Sequence, residues 1–252
     1  MEKKIIIANL KMNPVSKSDF FDLANSYQLE AKNLSNIELV MAASFIYLDD
    51  AIKTGCSIAA QDCFYEDFGP YTGEISPLML KNLGVKYVIV GHSERRAMGE
   101  TDEVVSKKIQ AVLKNGLIPI LCIGENKEEK QAGRIEEVLK TQISKAFHNI
   151  SLSSSNGPIV IAYEPVWSIS TNTIGEIDTP ENASKMIELI KKIFGDLKLE
   201  IGNFKFIYGG SVNEQNAEDF IKQNNIQGVL VGGASLKKDE FAKILNIANS
   251  IK

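Results

Sequence analysis

Three side chains in this sequence have the types and settings to move a proton and hold the charge that results: Glu164, His92 and Lys11. Glu164 ends the apolar run Ile159–Tyr163 and is followed by Pro165 and by Trp167, the only tryptophan. Proline and indole strip water from a neighbouring carboxylate, and desolvation raises its pKa toward a value useful to a general base. The plainer alternative is a rim carboxylate paired with a cation. His92 follows "YVIVG" and stands just before the helix start "SERR". The positive end of a helix dipole disfavours imidazolium, so the ring is expected to stay neutral at pH 7 and to donate a hydrogen bond. Most lone histidines are structural, and the other one, His148, ends an amphipathic helix and reads as a surface residue. Lys11 follows a mostly apolar strand. A lysine there is usually solvated; its functional reading is a cation aimed at a phosphate and at the reacting oxygens, with Asn9 hydrogen-bonding the same ligand. Two glycine pairs, in "YGGS" (Tyr208–Ser211) and "GGAS" (Gly232–Ser235), each precede a helix start. Backbone N–H groups at such turns bind anions, which points to a phosphate ligand.

These groups act together only if the elements carrying them converge. Short apolar runs alternate with helical segments throughout. The strand candidates are Lys4–Leu10, Ile37–Ala42, Ser57–Ala60, Lys86–Val90, Leu117–Cys122, Ile159–Tyr163, Phe204–Tyr208 and Gly228–Val231. Several are continuous Ile/Val runs, as strands buried on both faces should be. Helix ends are marked by glycine stops in "LGV" (Leu83–Val85) and "NGL" (Asn115–Leu117), and by Thr179 as an N-cap with Pro180 and Glu181 in the first turn. Eight strands and eight helices amount to one βα unit per ~30 residues, the minimum for such a unit. Strict alternation favours a parallel sheet. Eight units in 252 residues match a closed (β/α)₈ barrel. An open doubly wound sheet would need a glycine-rich loop after the first strand, where this chain reads "NLKMNP". No linker or low-complexity stretch divides the chain; "SLSSSNGP" (Ser151–Pro158) is a helix-to-strand loop, and residues 1–252 read as one domain. In a barrel, function collects at the C-terminal ends of strands, where Gln61, Asp62, Ser93, Glu94 and Glu125 join the groups already named.

With 44% hydrophobic and 24% charged residues the composition is that of a soluble globular protein. A net charge of −4 provides no basic field for nucleic acid or anionic membrane. Cys56, Cys63 and Cys122 form no CxxC and read as reduced thiols of a cytoplasmic protein. The apolar start is too short for a signal sequence, and no run approaches a membrane span.

"NLKMN", "GHSERR", "LCIGE", "AYEPVW", "YGGSV" and "LVGGASL" occur in an order and over a length that resemble the triosephosphate isomerase family. The resemblance implies interconversion of dihydroxyacetone phosphate and D-glyceraldehyde 3-phosphate, in glycolysis and gluconeogenesis, without metal or organic cofactor. Glu164 corresponds to the base, His92 to the neutral electrophile, and Lys11 with Asn9 to the stabilisers of the enediolate. Glu94 corresponds to their electrostatic neighbour. Ser170, Ser211, Gly232 and Gly233 correspond to phosphate ligands through their N–H groups. "PVWSISTN" corresponds to a lid that shuts out water, which is the known behaviour of this family, with Tyr208 and Ser211 as its latch and Trp167 in its hinge. The aromatic loop Phe64–Glu74 corresponds to a homodimer interface that includes Thr72, Gly73 and Glu74, with Thr72 reaching toward the partner's active site near Asn9, Lys11 and His92. Departures cluster between Ser168 and Asp178: the family usually has Ala at the place of Ser168 and Gly at those of Ser170 and Asn172, often Lys at that of Thr173, and a shorter stretch before "TPEN". Leu10 also replaces a common aromatic. Two other readings share some of these features. Another phosphate-handling barrel, such as a sugar-phosphate epimerase, needs the glycine pairs but not His92, Lys11 and Glu164 in these settings. A silent binding barrel needs none of them.

Overall fold

The computed structural model describes residues 3–148, 150, 158–169, 177–200 and 202–251. Eight strands form a closed, all-parallel barrel in chain order: β1 (Lys4–Asn9), β2 (Ile37–Ala43), β3 (Ser57–Ala60), β4 (Tyr87–Val90), β5 (Ile118–Ile123), β6 (Ile159–Tyr163), β7 (Phe204–Tyr208) and β8 (Gly228–Val231). β1 pairs with β2 from Lys4↔Ile37 to Asn9↔Ala42, and with β8 from Ile5↔Gly228 to Ala8↔Val231. Strand ends differ from the sequence expectation by one residue at β1, β2, β4 and β5. At β1, for example, Leu10 leaves the strand although its N–H still donates to Ala42 O at 3.1 Å.

The continuous apolar runs now have their reason. Successive side chains of a strand point to opposite faces, and here both faces are buried. Ile5, Ile7, Val40, Ile89, Ile120, Val160, Ile207 and Leu230 fill the barrel. Their neighbours Ile6, Ala8, Val88, Val90, Leu121, Ile161 and Val231 pack outward against the helices.

Ten α-helices lie among the described residues: α1 (Lys17–Ala31), α2 (Leu48–Ile52), α3 (Pro77–Leu83), α4 (Ser93–Ala97), α5 (Asp102–Lys114), α6 (Lys127–Gln131), α7 (Ile135–Ala146), α8 (Pro180–Asp196), α9 (Ala217–Ile221) and α10 (Lys238–Ser250). This exceeds the expected eight because the connections after β4 and β5 each carry a short extra helix. α4 and α6 stop at turns containing Gly99 (φ 100°) and Gly133 (φ 69°), backbone angles that end a right-handed helix. The expected caps are present: Gly84 ends α3 in the left-handed region, and Thr179 Oγ1 accepts the Asn182 N–H at the start of α8. α8 turns Ala183, Ile187, Ile190 and Phe194 inward at the 4-3-4 spacing of a core-facing helix.

All three cysteines are unpaired, with Cys63 and Cys122 buried. His148 is exposed at the end of α7. Among the described residues no helix is long and apolar enough to cross a membrane.

Candidate active site

The C-terminal ends of β1, β4, β6, β7 and β8 surround a cavity of about 300 Å³, lined by Asn9, Lys11, His92, Glu164, Ser211, Gly232 and Gly233 among others. The residues singled out for chemistry, far apart in the chain, therefore share one space.

At the end of β1 the backbone of Lys11 takes φ 53°. This left-handed conformation costs a residue with a Cβ about 1–2 kcal/mol, so other contacts must hold it. The Lys11 N–H donates to Asn9 Oδ1 (3.0 Å), and its carbonyl accepts from Gln61 Nε2 (2.8 Å) and Ser44 Oγ (3.0 Å). The loops after β2 and β3 thus fix the lysine that β1 carries. Its ammonium pairs with Glu94 Oε1 at 2.5 Å. The bond from Lys11 also fixes the Asn9 amide, so that Nδ2 faces the cavity and lies 3.4 Å from His92 Nε2.

His92 is the N-cap of α4. Its Nδ1 accepts the Glu94 N–H at 3.2 Å. An acceptor nitrogen carries no proton, so the ring proton of the neutral form lies on Nε2. Nε2 is 2.9 Å from Glu164 Oε1, a true hydrogen bond, whereas the 3.4 Å contact to Asn9 is too long to compete. Burial opposes protonation of this ring, but the Glu164 and Glu94 carboxylates outweigh it and the His92 pKa is raised. This influence comes from contact between the two side chains, which the position of His92 at a helix start does not reveal. Glu164 is only 3% exposed, and its Oε2 accepts the Ser93 N–H at 3.0 Å. Glu164 and His92 are thus paired with each other.

The backbone under Glu164 is fixed by neighbouring strands. Its N–H donates to Ile123 O (2.8 Å), and Gly209 N–H donates to Tyr163 O (2.7 Å). Gly124, the glycine of "LCIGE", runs so close that a Cβ would lie 2.0 Å from the Glu164 carbonyl oxygen. Next to it Glu125 is fully buried and receives Trp167 Nε1–H (2.7 Å) and the Tyr163 hydroxyl (3.1 Å). Burial raises the Glu125 pKa, with these donors acting against it. The 3₁₀ turn Val166–Ser168 that follows Pro165 is thereby tied to β5.

Ser211 lies after β7, while Gly232 and Gly233 follow β8 and lead into the turn Gly233–Leu236. Ser170 lies outside the described residues, as do residues 171–176. The two sides of that segment are joined: Ser168 Oγ accepts the Asp178 N–H at 3.0 Å. Tyr208 stacks on Phe220 and turns its hydroxyl toward Ser168 and Asp178. That hydroxyl and Asp178 Oδ2 are both buried, with no hydrogen-bond partner among the described residues. Ser168, read in the sequence as part of the lid and as a departure from the family, is one half of a clasp. Ile169, Leu230 and the Lys237–Glu240 ion pair also line the cavity. Ile169 and Leu230 fall inside the stretches "PVWSISTN" and "LVGGASL" without being singled out there, and Lys237 and Glu240 read as ordinary helix-start residues.

Thr72, Gly73 and Glu74 are exposed and take no part in the cavity of their own chain. Their loop is braced by the Phe64 N–H to Ile75 O bond (2.8 Å) and by Phe64 packed on Tyr65 and Tyr71.

The sequence profile of the family described as Triosephosphate isomerase matches residues 4–248. Relatives bearing that name include one from Dehalococcoides mccartyi, 43% identical over all of this chain and 99% of its own length. Another, from Aquifex aeolicus, is 43% identical with 96% of this chain and 98% of its own length covered. A third, from Alkaliphilus oremlandii, is 41% identical over 98% and 100%. Identity of this degree along whole chains, with the barrel and its mouth already described, places this chain in the triosephosphate isomerase family.

Proposed function

We propose that this chain, as one barrel domain, interconverts dihydroxyacetone phosphate and D-glyceraldehyde 3-phosphate with Glu164 as base, His92 as electrophile and Lys11 as the stabilising cation. The reading is carried by one arrangement: Glu164 Oε1 stands 2.9 Å from His92 Nε2, while His92 Nδ1 accepts a backbone N–H. A ring held this way directs its Nε2–H into the cavity. The Asn9 Nδ2 donor converges on the same space. Two donors aimed at one place suit a carbonyl oxygen that gains negative charge as the adjacent carbon loses its proton.

The reaction follows from that geometry. Substrate enters between base and ring, and the Glu164 carboxylate exchanges the Nε2–H for the carbon-bound proton. As that proton leaves, the oxygen charge is met by His92 Nε2–H, Asn9 Nδ2 and the Lys11 ammonium. Once the carboxylate has left the ring, the main influence raising the His92 pKa is gone, which favours a neutral donor. The proton then returns to the neighbouring carbon, while His92 moves protons between the two oxygens. N–H groups of Ser211, Gly232 and Gly233 hold the phosphate, with Ser170 expected to add one. The proton removed is α to a carbonyl, so the chemistry needs no metal or organic cofactor. Turnover of glyceraldehyde 3-phosphate in a coupled assay tests the reading, and a well-folded protein that shows none would sink it.

A homodimer in the cytoplasm completes the proposal. Met12 (89% exposed), Ile46 (79%) and Phe68 (84%) stand out from the loops after β1, β2 and β3. Large apolar side chains from three adjacent loops form the kind of patch that a partner covers. The loop bearing Thr72, Gly73 and Glu74 lies among them. Sedimentation at micromolar concentration should give a dimer, and a monomer would refute it.

A further inference from the structure

The turn that delivers His92 to the cavity is held from behind by buried charges. Gly91 (φ 72°) connects β4 to His92. Both of its peptide groups are taken: the N–H donates to Glu100 Oε2 (3.1 Å), and the carbonyl accepts from Arg96 Nε (2.7 Å). A Cβ on Gly91 would lie 3.0 Å from Arg96 Nη2 and 3.2 Å from Val105 Cγ2, so the turn has little room to move. The other oxygen of Glu100 is bound by Lys108, whose ammonium also bonds Asp62 Oδ1 at 2.6 Å. The side chains of Lys108 and Glu100 are only 5% and 3% exposed. Arg95 Nε balances Asp62 from the rim at 3.0 Å. None of these charged residues lines the cavity.

Stability alone is a poor reason for such a network. A buried ion pair often contributes no more than apolar side chains of similar volume, and its best-attested use is to select one arrangement among several. The arrangement selected here is the orientation of the Gly91 peptide. From it the direction of His92 Nε2 follows, because the next residue is the N-cap whose ring is pinned at Nδ1. We propose that Lys108, acting through Glu100, is a positioning residue for His92, fixing the angle at which Nε2–H meets the reacting oxygen. This rests on the role given to His92 above.

The test uses the full-length protein and compares Lys108→Met/Glu100→Gln with His92→Gln. The double variant removes both buried charges together and leaves Asp62 with Arg95. It should fold, with kcat lowered about tenfold, less than the ~10²-fold cost of a 1 Å misplacement, and with KM within twofold. Histidine labelled with ¹⁵N gives a second readout: the protein has two histidines, and only the His92 Nε2 resonance should shift. Glu100→Gln, which keeps an oxygen for the Gly91 N–H, carries the same comparison should the double variant not fold. Single Lys108→Arg should restore most of kcat. A folded variant with kcat within twofold of the parent, or one with reduced kcat and an unmoved His92 resonance, would overturn the proposal. If His92→Gln is itself without effect on kcat, the role of His92 falls first.

Discussion

Glu164→Asp changes only the reach of the base. The carboxylate stays charged and buried, but loss of one methylene withdraws it by about 1.5 Å, one carbon–carbon bond. Oε1 and Oε2 now lie 2.9 Å from His92 Nε2 and 3.0 Å from the Ser93 N–H. From the shorter side chain both contacts fall outside hydrogen-bonding range, and so does the substrate carbon the base must reach. A displacement of 1 Å in a catalytic group costs on the order of 10²-fold in rate, equivalent to about 2.7 kcal/mol. A withdrawal of about 1.5 Å should cost at least that. Ser211, Gly232 and Gly233, proposed to hold phosphate, sit after β7 and β8, so KM should change by no more than a few-fold. Coupled assays in both directions, with a thermal melt to establish folding, give kcat and KM separately. A folded variant with kcat within about threefold of the parent would remove Glu164 from the base role. A raised KM with unchanged kcat would make it a binding residue instead.

Asp178→Asn tests the buried carboxyl beside Tyr208. Burial raises the Asp178 pKa, with Asn182 and the Thr179 N–H acting against it. The folded state therefore binds the proton more tightly than the unfolded one, and stability falls as pH rises from the ordinary carboxylate pKa of about 4 through the raised value. The variant should melt above the parent at pH 7, the gap closing as pH falls toward 4; a gap independent of pH would contradict this. Gly124→Ala should displace the backbone of Glu164, because the new Cβ would lie 2.0 Å from its carbonyl oxygen. The melting temperature should fall and kcat should drop on the order of 10²-fold. Parental kinetics in that variant would show that the approach of β5 to β6 does not set the position of the base.

Strands could be read from the sequence because this fold buries both of their faces, leaving runs such as Ile5–Ala8 without a polar interruption. Caps could be read where the chemistry is local, as at Thr179 and Gly84. Helix number was less accessible, since one glycine can end a helix or divide it, as Gly99 and Gly133 do. In the site, position at a strand end was enough to bring Asn9, Lys11, His92 and Glu164 together. What stayed hidden is contact between residues whose types are individually unremarkable. The Ser168–Asp178 bond joins positions ten apart in the chain. Lys108 looks like any helix-surface lysine until α5 is docked beside Glu100 and Asp62. Gly124 shows its purpose only when β6 lies against it.

Closure of the barrel depends on strands from opposite ends of the chain, because Ile5 pairs with Gly228. While the chain is being synthesised, β1 to β7 can assemble only as an open sheet. Its two edges are rows of unpaired amides and carbonyls flanked by isoleucine on β1 and by phenylalanine and isoleucine on β7, the features that recruit other strands into aggregates. The four residues Gly228–Val231 thus abolish both edges at once, and a nascent chain stalled just before them is the species that chaperones must guard.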